Sequence, residues 1–454
     1  MRLEETVHFP HVAVYYEDGH YIVHNHLLNS WVVFDPDEYE LASELIYGGL
    51  SPAELIRAGN DERTVRRIVN MLLLYRVGYQ GERPPDYDYF ESMQKQGVGK
   101  VPPHYVYFVT TYKCNLNCIY CYADSGPGRS MKGDMDTEEA MDMINQIKDL
   151  GTNTIVFTGG EAFLRKDLLV LMAHARQIGL RVNVISNGTL ITSREKAEEI
   201  AKLVDLFTIS LDSLNKEEHE ANRGKDTWDR VMRAIGYLQD AGVRLKLNQT
   251  VTRHNLNAVE PMVEFTKQRS IRLNIMPIVQ LGRGDDRSQG LTFAERRRIL
   301  DRIEELQLEG AAHDDCRSLG VKQFEHRRQC GHGTGEFSID ARGNVFPCKL
   351  MHHPLFYAGS IREKPLREIW ETSPVFEAAR NRTVHTLPEC MKCTFRESCG
   401  GGCRAFHWGM TGDVNGTTQL ECSGIRRGIR KKMVAYFKLA GGKRADEQTV
   451  SIGR

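Results

Sequence analysis

The chain lacks the features that mark membrane, secreted and nucleic-acid-binding proteins. None of its apolar stretches approaches the roughly 20 residues that a membrane helix needs, and its first residues, Met1-Arg-Leu-Glu-Glu, contain no apolar signal-peptide core. Lys and Arg together number 60, as do Asp and Glu. No excess charge therefore calls for nucleic acid or an anionic membrane as a partner, and we expect a cytoplasmic protein.

Cysteine is absent from two long parts of the chain, residues 1–113 and residues 122–315. The eleven cysteines form two groups, three at 114–121 and eight at 316–422. Disulfide frameworks belong to short secreted domains, whereas this chain has 454 residues. The grouping therefore indicates metal ligands in a reducing compartment.

Length and composition favour about three folded domains of ~150 residues each, because 41% of the residues are hydrophobic. The chain has no internal repeat and no low-complexity tract apart from a polar tail after about Gly441. We divide it into a winged-helix-like module, a linker, an α/β barrel, a cysteine-rich domain and a C-terminal helix with a polar tail. Their predicted ranges are 1–80, 81–103, 104–310, 311–425 and 426–454.

Cys114, Cys118 and Cys121 stand in a C-x3-C-x2-C arrangement after a strand-like run at 105–111. On a short loop this spacing lets three thiolates face one point, and thiolates select iron–sulfur clusters, zinc or copper(I). Three ligands to a four-iron cluster leave one iron open for a reactant. A zinc knuckle normally needs four ligands and no particular residue between them, whereas here the aromatic Tyr120 precedes the last cysteine.

This triplet resembles the signature of the radical S-adenosylmethionine (radical SAM) superfamily, C-x3-C-x-aromatic-C after the first strand of a barrel. Strand and helix patterns alternate after it, which favours a parallel sheet curled into a partial (β/α)6 barrel with its chemistry at the carboxyl ends of the strands. The predicted strands lie near 105–111, 154–158, 181–186, 206–211, 244–251 and 272–279. The predicted helices lie near 137–149, 167–178, 193–203, 227–241, 257–269 and 293–308.

Polar motifs follow the second, third and fourth of these strands. Gly159 and Gly160 let the backbone approach a ligand, and the carboxylate of Glu161 can hold an ammonium group. The resemblance implies that this segment contacts the methionine amino group of S-adenosylmethionine, although Gly-Gly-Glu also suits a simple turn. It further implies that Ser186 and Asn187 lie at the ribose and that Arg223 lies near the methionine carboxylate. The remaining implied cofactor-binding residues are Tyr120, Ser210 and Asp212. Each Ser, Asn and Asp could instead cap a helix.

The resemblance also implies a reaction. The open iron of a [4Fe–4S] cluster chelates S-adenosylmethionine, and one electron from a low-potential donor such as flavodoxin or ferredoxin cleaves the sulfonium C–S bond. The resulting 5′-deoxyadenosyl radical abstracts hydrogen from an unactivated C–H bond. The protein holds that bond near the radical and excludes water and oxygen.

Seven cysteines between residues 330 and 422 follow a second pattern. It resembles the SPASM extension of radical SAM peptide-modifying enzymes, whereas a zinc ribbon explains only part of the run from 390 to 403. The resemblance implies two auxiliary iron–sulfur clusters, expected to be [4Fe–4S]. Their implied ligands are Cys330, Cys348 and Cys403 for the first cluster and Cys390, Cys393, Cys399 and Cys422 for the second.

Cys316 leaves two interpretations open. As a fourth ligand it would close the first auxiliary cluster. If it is not a ligand, that cluster keeps an open iron that can bind a substrate thiolate, an arrangement associated with thioether-forming relatives. A lone cysteine is also often just a small buried hydrophobe.

Residues 1–80 read as three strands followed by three helices. Asp18-Gly19 is a two-residue hairpin signal, and helix starts with proline follow Asp35 and Ser51. This order resembles the recognition element of ribosomally made, modified peptides (RiPPs), the fold of the pyrroloquinoline-quinone peptide chaperone. The resemblance implies that a precursor's leader adds as a strand to the hairpin edge, with its core at the barrel mouth. A generic winged helix for DNA or subunit packing is the alternative, but no basic recognition helix is evident.

These features predict a maturase that installs a cross-link in a ribosomally made precursor, expected to be a thioether from a cysteine sulfur to carbon. Carbon–carbon cross-linking, epimerisation and decarboxylation of such a peptide are alternatives. Sulfatase maturases share the SPASM pattern, but the leader-binding-like module argues against them. A non-catalytic iron–sulfur electron carrier or a leader-binding scaffold is disfavoured by the intact cysteine triplet and the Gly-Gly-Glu segment.

Overall fold

The computed structural model describes residues 1–286, 290–310 and 323–439. These residues build a three-stranded sheet near the N-terminus and a nine-stranded sheet that runs through the barrel into the C-terminal domain. Within the described ranges, every helix is too short or too polar to cross a membrane.

The N-terminal sheet is an antiparallel meander whose first two strands are joined by Asp18 and Gly19. Both turn residues have positive φ, 49° and 79°, as a tight hairpin turn of this length requires. Three helices follow, and the first two begin at capping boxes on Asp35 and Ser51. The elements are β1 (Val12–Glu17), β2 (His20–Asn25), β3 (Ser30–Phe34), α1 (Pro36–Ile46), α2 (Pro52–Arg57) and α3 (Glu62–Leu74).

The segment that we predicted to be a linker, residues 81–103, carries a helix, α4 (Pro85–Met93). Its Tyr87 is buried against Leu27 and Leu28, and Asn25 donates a hydrogen bond of 2.9 Å to the Tyr87 hydroxyl. This part of the segment is therefore packed onto the N-terminal sheet.

Six parallel strands form the barrel in sequence order, and each of the six predicted strands is confirmed. They are β4 (Tyr105–Val109), β5 (Thr154–Thr158), β6 (Arg181–Ser186), β7 (Leu206–Ser210), β8 (Leu245–Val251) and β9 (Arg272–Pro277). The helices between and after them are α5 (Thr137–Asp149), α6 (Leu168–Gln177), α7 (Arg194–Ala201), α8 (Lys216–Arg223), α9 (Trp228–Asp240), α10 (Val259–Gln268) and α11 (Phe293–Leu308). Helix α8 was not predicted, and it ends at Arg223.

Alternation along the strands separates the helix-covered face of the sheet from the barrel lumen. Val182 and Val184 of β6 are buried in the large core that the sheet shares with the surrounding helices. Since side chains alternate along a strand, Asn183 between them points into the lumen. The same argument places Asn248 of β8 and Asn274 of β9 in the lumen, because their neighbours Leu247 and Leu273 belong to that core.

The C-terminal domain extends the barrel sheet at its β4 edge. Strand β10 (Glu336–Ile339) pairs parallel to β4, and β11 (Asn344–Phe346) and β12 (Gly359–Ser360) follow in antiparallel order. The helices of this domain are α12 (Leu366–Thr372), α13 (Pro374–Asn381), α14 (Pro388–Met391), α15 (Arg396–Cys399), α16 (Arg404–Thr411) and α17 (Gln419–Leu439).

Helix α17 joins the C-terminal domain to the N-terminal sheet in one hydrophobic core. Trp31 of β3 is fully buried and donates its indole N–H to the carbonyl of Met433 at 3.2 Å. Phe395, Met433 and Phe437 lie in the same core as β2, β3 and α3. We predicted a C-terminal helix from residue 426, but the helix begins at Gln419 and so carries Cys422. The predicted polar tail from residue 440 lies outside the described residues.

Candidate active site

The predicted cluster loop connects β4 to α5, and backbone amides point at two of its three sulfurs. Leu116 N–H donates to Cys114 Sγ at 3.4 Å, and Ser125 N–H donates to Cys121 Sγ at 3.4 Å. Burial raises the pKa of the Cys114 thiol to about 12 and that of Cys118 to about 11. The donor set is three soft sulfurs on one short loop with amides aimed at them, which fits an iron–sulfur cluster. Binding such a cluster must release the thiol protons.

The backbone that leads into the cluster loop lies so close to Gly159 and Gly160 that neither position has room for a side chain. A Cβ atom on Gly159 would lie 2.7 Å from the Thr111 carbonyl oxygen, and one on Gly160 would lie 2.8 Å from that of Tyr112. The close approach lets Gly160 N–H donate to the Thr111 carbonyl at 2.7 Å. We predicted that these glycines admit a ligand, and the structure adds that they bring the end of β5 against the loop that carries the three cysteines.

Glu161, Ser186 and Asn187 form one buried network at the ends of β5 and β6. Ser186 Oγ and the Phe163 amide donate to Glu161 Oε1 at 2.8 and 3.1 Å, and the Asn187 amide donates to Oε2 at 2.8 Å. Burial raises the pKa of Glu161. Asn187 Nδ2 also approaches Cys114 Sγ, at 3.9 Å. The structure thus brings three predicted cofactor-binding residues together beside one predicted cluster ligand.

Tyr120, Asp212 and Arg223 form a second group, at the end of β7, in which Asp212 and Arg223 are buried and Tyr120 is half-buried. Arg223 donates to both Asp212 oxygens, from Nε at 2.9 Å and from Nη2 at 3.0 Å. The Tyr120 hydroxyl donates to Asp212 Oδ2 at 2.7 Å. Burial opposes the charge of Arg223, but Asp212 outweighs it and raises the pKa of Arg223. Within the described residues, Nη1 of Arg223 makes no hydrogen bond, which leaves it available to a cofactor carboxylate.

Ser210 lies apart from both groups. It ends β7, is half-buried and pairs in register with Asn248, and its side chain makes no hydrogen bond to the described residues. Its predicted role in cofactor binding remains a prediction.

Gly282 and Arg283, which follow β9, contact the cluster loop and hold it in place. They were not among the residues predicted from the sequence. Arg283 donates to the carbonyls of Cys118 at 2.9 Å and Ser125 at 2.7 Å and pairs with Asp124 at 2.9 Å. A Cβ on Gly282 would lie 2.5 Å from the Cys121 carbonyl oxygen, and its φ is +56°. A Gly-Arg pair just past the end of the last barrel strand is the sequence signal that could have identified them.

Two cavities separate the C-terminal cysteines into the two predicted groups. Cys330, Cys348 and Cys403 line a cavity of about 170 Å³ between β9, α11 and α17, and Cys399 lines it as well. Cys390, Cys393, Cys399 and Cys422 line a smaller one of about 30 Å³. Each cavity is lined by four cysteines, of which Cys399 is common to both, and sulfur donors of this number fit an iron–sulfur cluster. Cys316 lies outside the described residues, so its two interpretations stay open.

Two of the cysteines that line the first of these cavities have different polar neighbours. Cys330 Sγ lies 3.3 Å from His332 Nδ1. Burial raises the pKa of Cys330, but the charge and hydrogen bond of His332 outweigh it and bring the pKa down to about 6. Cys348 Sγ lies 3.5 Å from Glu336 Oε1, and burial raises its pKa.

A cleft of about 920 Å³ opens between the cluster loop and the C-terminal domain. Tyr112, Tyr122, Lys349 and Trp408 are among its lining residues. The Tyr112 hydroxyl lies 2.6 Å from Nδ1 of His352, another lining residue. Burial lowers the pKa of His352 to about 4, so the imidazole is neutral near pH 7. The cleft is large enough for a substrate far bigger than an amino acid.

Comparison with known proteins places these sites in a family. The model of the radical SAM superfamily matches residues 108–266, and that of an iron–sulfur cluster-binding domain, SPASM, matches residues 330–394. The AdoMet-dependent heme synthase of Methanosarcina barkeri is 30% identical over 334 residues, covering 68% of this chain and 94% of that protein. The mycofactocin maturase MftC of Mycolicibacterium smegmatis is 28% identical over 303 residues, covering 65% and 76%.

A solved structure supports the fold over a longer stretch. Streptococcus suis SuiB bound to S-adenosylmethionine superposes with a TM-score of 0.58 at 17% identity, covering 91% of this chain and 99% of that chain. The two family matches, the relatives and the cysteine triplet with its two neighbouring polar groups all indicate the same family. The chain belongs to the radical SAM superfamily and is a radical SAM enzyme with a C-terminal SPASM domain.

Proposed function

We propose that this enzyme modifies a ribosomally made precursor peptide, which it holds by a leader on residues 1–80 while the core of the peptide reaches the barrel mouth. The observation that carries the proposal is the outer edge of β1. Because Glu17 and His20 flank a two-residue turn, they pair across the hairpin, and the backbone groups of Val12, Val14 and Tyr16 point outward. Among the described residues these groups have no hydrogen-bond partner.

At the opposite edge of this sheet, the backbone of Trp31 is already engaged. The carboxamide of Gln323 accepts from Trp31 N–H at 3.1 Å and donates to the Trp31 carbonyl at 2.9 Å, as an added strand would. Among the described residues, the β1 edge is therefore the one where an extended leader can form main-chain hydrogen bonds along three residues without displacing the protein's own side chains. Tyr16, on this edge, is 59% exposed.

The barrel lumen also suits a peptide. Its walls include the amides of Asn183, Asn248 and Asn274, and Asn274 Nδ2 donates to Asn248 Oδ1 at 3.0 Å. Asn274 is buried, and its Oδ1 atom has no partner in the described part of the chain. Buried amides are costly without partners, and peptide amide groups can satisfy them. SuiB, whose structure has also been solved with the precursor peptide SuiA, shares this fold with a TM-score of 0.55.

The finer proposal is a thioether. Hydrogen abstraction by the 5′-deoxyadenosyl radical would leave a carbon radical on the peptide, and a cysteine that has lost its thiol proton would bond to it through sulfur, with the surplus electron passing to the first auxiliary cluster. Cys330, Cys348 and Cys403 line the first auxiliary cavity, and so does Cys399, which also lines the second. If Cys399 serves the second group, a [4Fe–4S] cluster held by the other three would have an iron open to a substrate thiolate unless Cys316 binds it. We propose a second [4Fe–4S] cluster on Cys390, Cys393, Cys399 and Cys422. Flavodoxin or ferredoxin supplies the first electron.

A second candidate function is a heme synthase-like reaction on a tetrapyrrole. It is favoured by the 30% identity to the Methanosarcina heme synthase, which extends over 94% of that protein. The amide-rich lumen favours a peptide over a planar apolar macrocycle. The two candidates predict different substrates for the same cofactor chemistry.

The test offers both substrates to the anaerobically reconstituted enzyme with S-adenosylmethionine and a low-potential reductant. A cysteine-containing precursor peptide, to be sought among the short reading frames near this gene, should lose two hydrogens and one alkylatable thiol per cross-link, as measured by mass spectrometry before and after alkylation. Iron-coproporphyrin III should be unchanged. Consumption of the tetrapyrrole with an unchanged peptide would reject the proposal, and hydrogen loss with every thiol still alkylatable would reject the thioether alone.

Leader binding is tested at the two sheet edges. Val14→Pro removes one outward N–H without touching the β1–β2 hydrogen bonds, so it should weaken precursor binding while S-adenosylmethionine cleavage without peptide persists. Gln323→Ala opens the β3 edge and is the matched control. Unchanged affinity with Val14→Pro and tighter binding with Gln323→Ala would move the leader site to β3.

A further inference from the structure

A chain of three hydrogen-bonded side chains runs from the wall of the large cleft into the sheet. Tyr112 and His352 line the cleft, and Ser338 of β10 behind them is fully buried. Ser338 Oγ donates to the main-chain carbonyl of Tyr107 at 3.2 Å. A hydroxyl has a single hydrogen to donate, so toward His352 the same oxygen acts only as an acceptor.

The serine thereby fixes the tautomer of His352. Nε2 of His352 lies 2.8 Å from Ser338 Oγ and must carry the hydrogen. Burial lowers the pKa of the imidazole to about 4, so near pH 7 the ring is neutral and its Nδ1 atom holds a lone pair. Phe346 stacks on the ring, with centroids 4.4 Å apart and planes at 21°, which holds the ring plane in place.

The orientation of the Tyr112 hydroxyl follows from this tautomer. The hydroxyl oxygen lies 2.6 Å from His352 Nδ1, so it donates its only hydrogen there and keeps its lone pairs. Among the described residues, no other group hydrogen-bonds this oxygen, and the side chain is half-buried in the wall of the cleft. Tyr112 therefore presents an acceptor, and not a donor, to a molecule bound in the cleft.

A second acceptor lines the same cleft. Oδ2 of Asp134 is buried and has no hydrogen-bond partner in the described part of the chain, and burial raises the pKa of this carboxyl. Asp340 also lines the cleft, but its oxygens already accept from the amides of Arg342 and Asn344, each at 2.9 Å. The exposed Arg342 lines the cleft as well and offsets one of the two carboxylate charges. Since both carboxylates act electrostatically on Tyr112, this side of the cleft favours a ligand that donates hydrogen bonds.

The position of Tyr112 in the chain places its acceptor beside the cluster loop. Tyr112 lies two residues before Cys114, and its carbonyl would lie 2.8 Å from a Cβ on Gly160. A molecule bound to the hydroxyl is therefore held next to the predicted cluster ligands. A peptide offers a main-chain N–H at every residue except proline, whereas an iron porphyrin has no free N–H and the carboxylates on its rim are acceptors.

We propose that Tyr112 binds the core of the precursor peptide by accepting a hydrogen bond from one of its main-chain N–H groups. His352 and Ser338 are the positioning residues that hold the hydroxyl in this orientation. The inference rests on the proposed peptide function and adds the contact that selects an amide donor in the cleft. No bond forms or breaks on binding, so it holds whichever modification of the peptide follows.

The test is a binding cycle on the reconstituted full-length enzyme without oxygen, with affinities measured by isothermal titration calorimetry. The probes are the cysteine-containing precursor peptide and copies of it in which one core amide at a time is N-methylated. In the wild type, methylation of one particular amide should weaken binding about tenfold, because it removes the hydrogen bond and leaves the phenol oxygen without a donor. Tyr112→Phe should bind the unmodified peptide about tenfold more weakly, and methylation of the same amide should then cost about twofold or less.

Ser338→Ala tests the positioning role without touching the cleft. His352 Nε2 loses its acceptor, so the other tautomer becomes accessible and the Tyr112 hydroxyl can turn its hydrogen toward the peptide. The penalty for methylating that amide should therefore fall to about threefold. A purely structural role of Ser338 would weaken all the peptides equally and leave this penalty unchanged.

Tyr357→Phe is the matched control. Its hydroxyl lies 3.5 Å from Glu363, and among the described residues Tyr357 is not part of the cleft lining, so every peptide should bind this variant as it binds the wild type. Iron content is measured for each variant, and if Tyr112→Phe loses iron, Ser338→Ala decides the question. Methylation penalties that are the same in the wild type, Tyr112→Phe and Ser338→Ala would overturn this inference alone. A wild type that binds iron-coproporphyrin III and none of the peptides would reject the proposed function as well.

Discussion

The pair of Asp212 and Arg223 allows a quantitative test of how the cofactor-binding end of the barrel is held. Asp212 is fully buried, and besides Arg223 and Tyr120 it accepts a hydrogen bond from the Thr250 amide at 3.1 Å. Asp212→Asn keeps the size and one acceptor but removes the charge. Arg223, 6% exposed, is then left as a buried cation without its counter-ion.

The loss of folding stability can be estimated from the geometry of this ion pair. Opposite charges about 4 Å apart attract each other by about 4 kcal/mol at an effective dielectric constant of about 20, and removing one partner of a buried pair typically costs 3–5 kcal/mol. We expect Asp212→Asn to lower the free energy of unfolding by about 3–5 kcal/mol. Asp212→Asn/Arg223→Met, which removes both charges, should recover more than half of that loss because no buried ion remains unpaired.

The assay is urea unfolding of the reconstituted protein under anaerobic conditions, followed by circular dichroism. With a denaturant dependence of about 3 kcal/mol per molar, the urea midpoint of the single variant should lie about 1–1.7 M lower. Both variants should bind S-adenosylmethionine more weakly than the wild type, because Tyr120 loses its partner in both, and Arg223 is displaced in the single variant and absent from the double one. A single variant as stable as the wild type, or a double variant no more stable than the single one, would refute the reasoning.

Two further predictions concern the cluster loop and acid stability. Gly160→Ala should reduce S-adenosylmethionine cleavage at least tenfold while the auxiliary iron is retained, because its Cβ would lie 2.8 Å from the Tyr112 carbonyl oxygen and must push the cluster loop away. Gly236→Ala is the control, because a Cβ there meets nothing within 4 Å. Equal activity of the two variants would contradict the prediction. Burial lowers the pKa of His24 to about 3, so below pH 6.5 the unfolded chain binds a proton that the folded protein does not, and stability falls by about 1.4 kcal/mol per pH unit. His24→Gln should therefore lose about 2 kcal/mol less than the wild type between pH 6.5 and 5 in urea titrations, and an identical loss would show that His24 does not titrate as described.

Much of the barrel and of the cluster site could be predicted from the sequence because short, local sequence patterns encode them. Alternating strand and helix patterns located all six strands and the helices around them except α8. The spacing of cysteines is itself a local signal, and the structure groups Cys390, Cys393, Cys399 and Cys422 around one cavity as the resemblance implied. The recognition-element function of residues 1–80 stays a prediction.

What the sequence did not predict depends on contacts between distant residues. Arg283 reaches the carbonyls of Cys118 and Ser125, a contact across more than 150 residues that no local period encodes. The burial of Tyr87 turns part of a polar, proline-containing linker into a helix packed on Leu27 and Leu28. The same applies to α17, whose Met433 and Phe437 complete the core of the N-terminal sheet.

This shared core changes how the N-terminal module should be tested. Deleting residues 1–80 would expose the apolar face of the helix that carries Cys422, so loss of a cluster and loss of leader binding would coincide. Edge substitutions such as Val14→Pro avoid this problem because they leave the core intact.

The most direct test of the central claim is reductive cleavage of S-adenosylmethionine by the cysteine triplet. With dithionite and without oxygen, the reconstituted wild type should form 5′-deoxyadenosine and methionine. Replacement of Cys114, Cys118 and Cys121 by alanine should abolish the product while roughly two thirds of the iron, that of two auxiliary clusters, is retained. Undiminished 5′-deoxyadenosine formation by this triple variant would contradict the account.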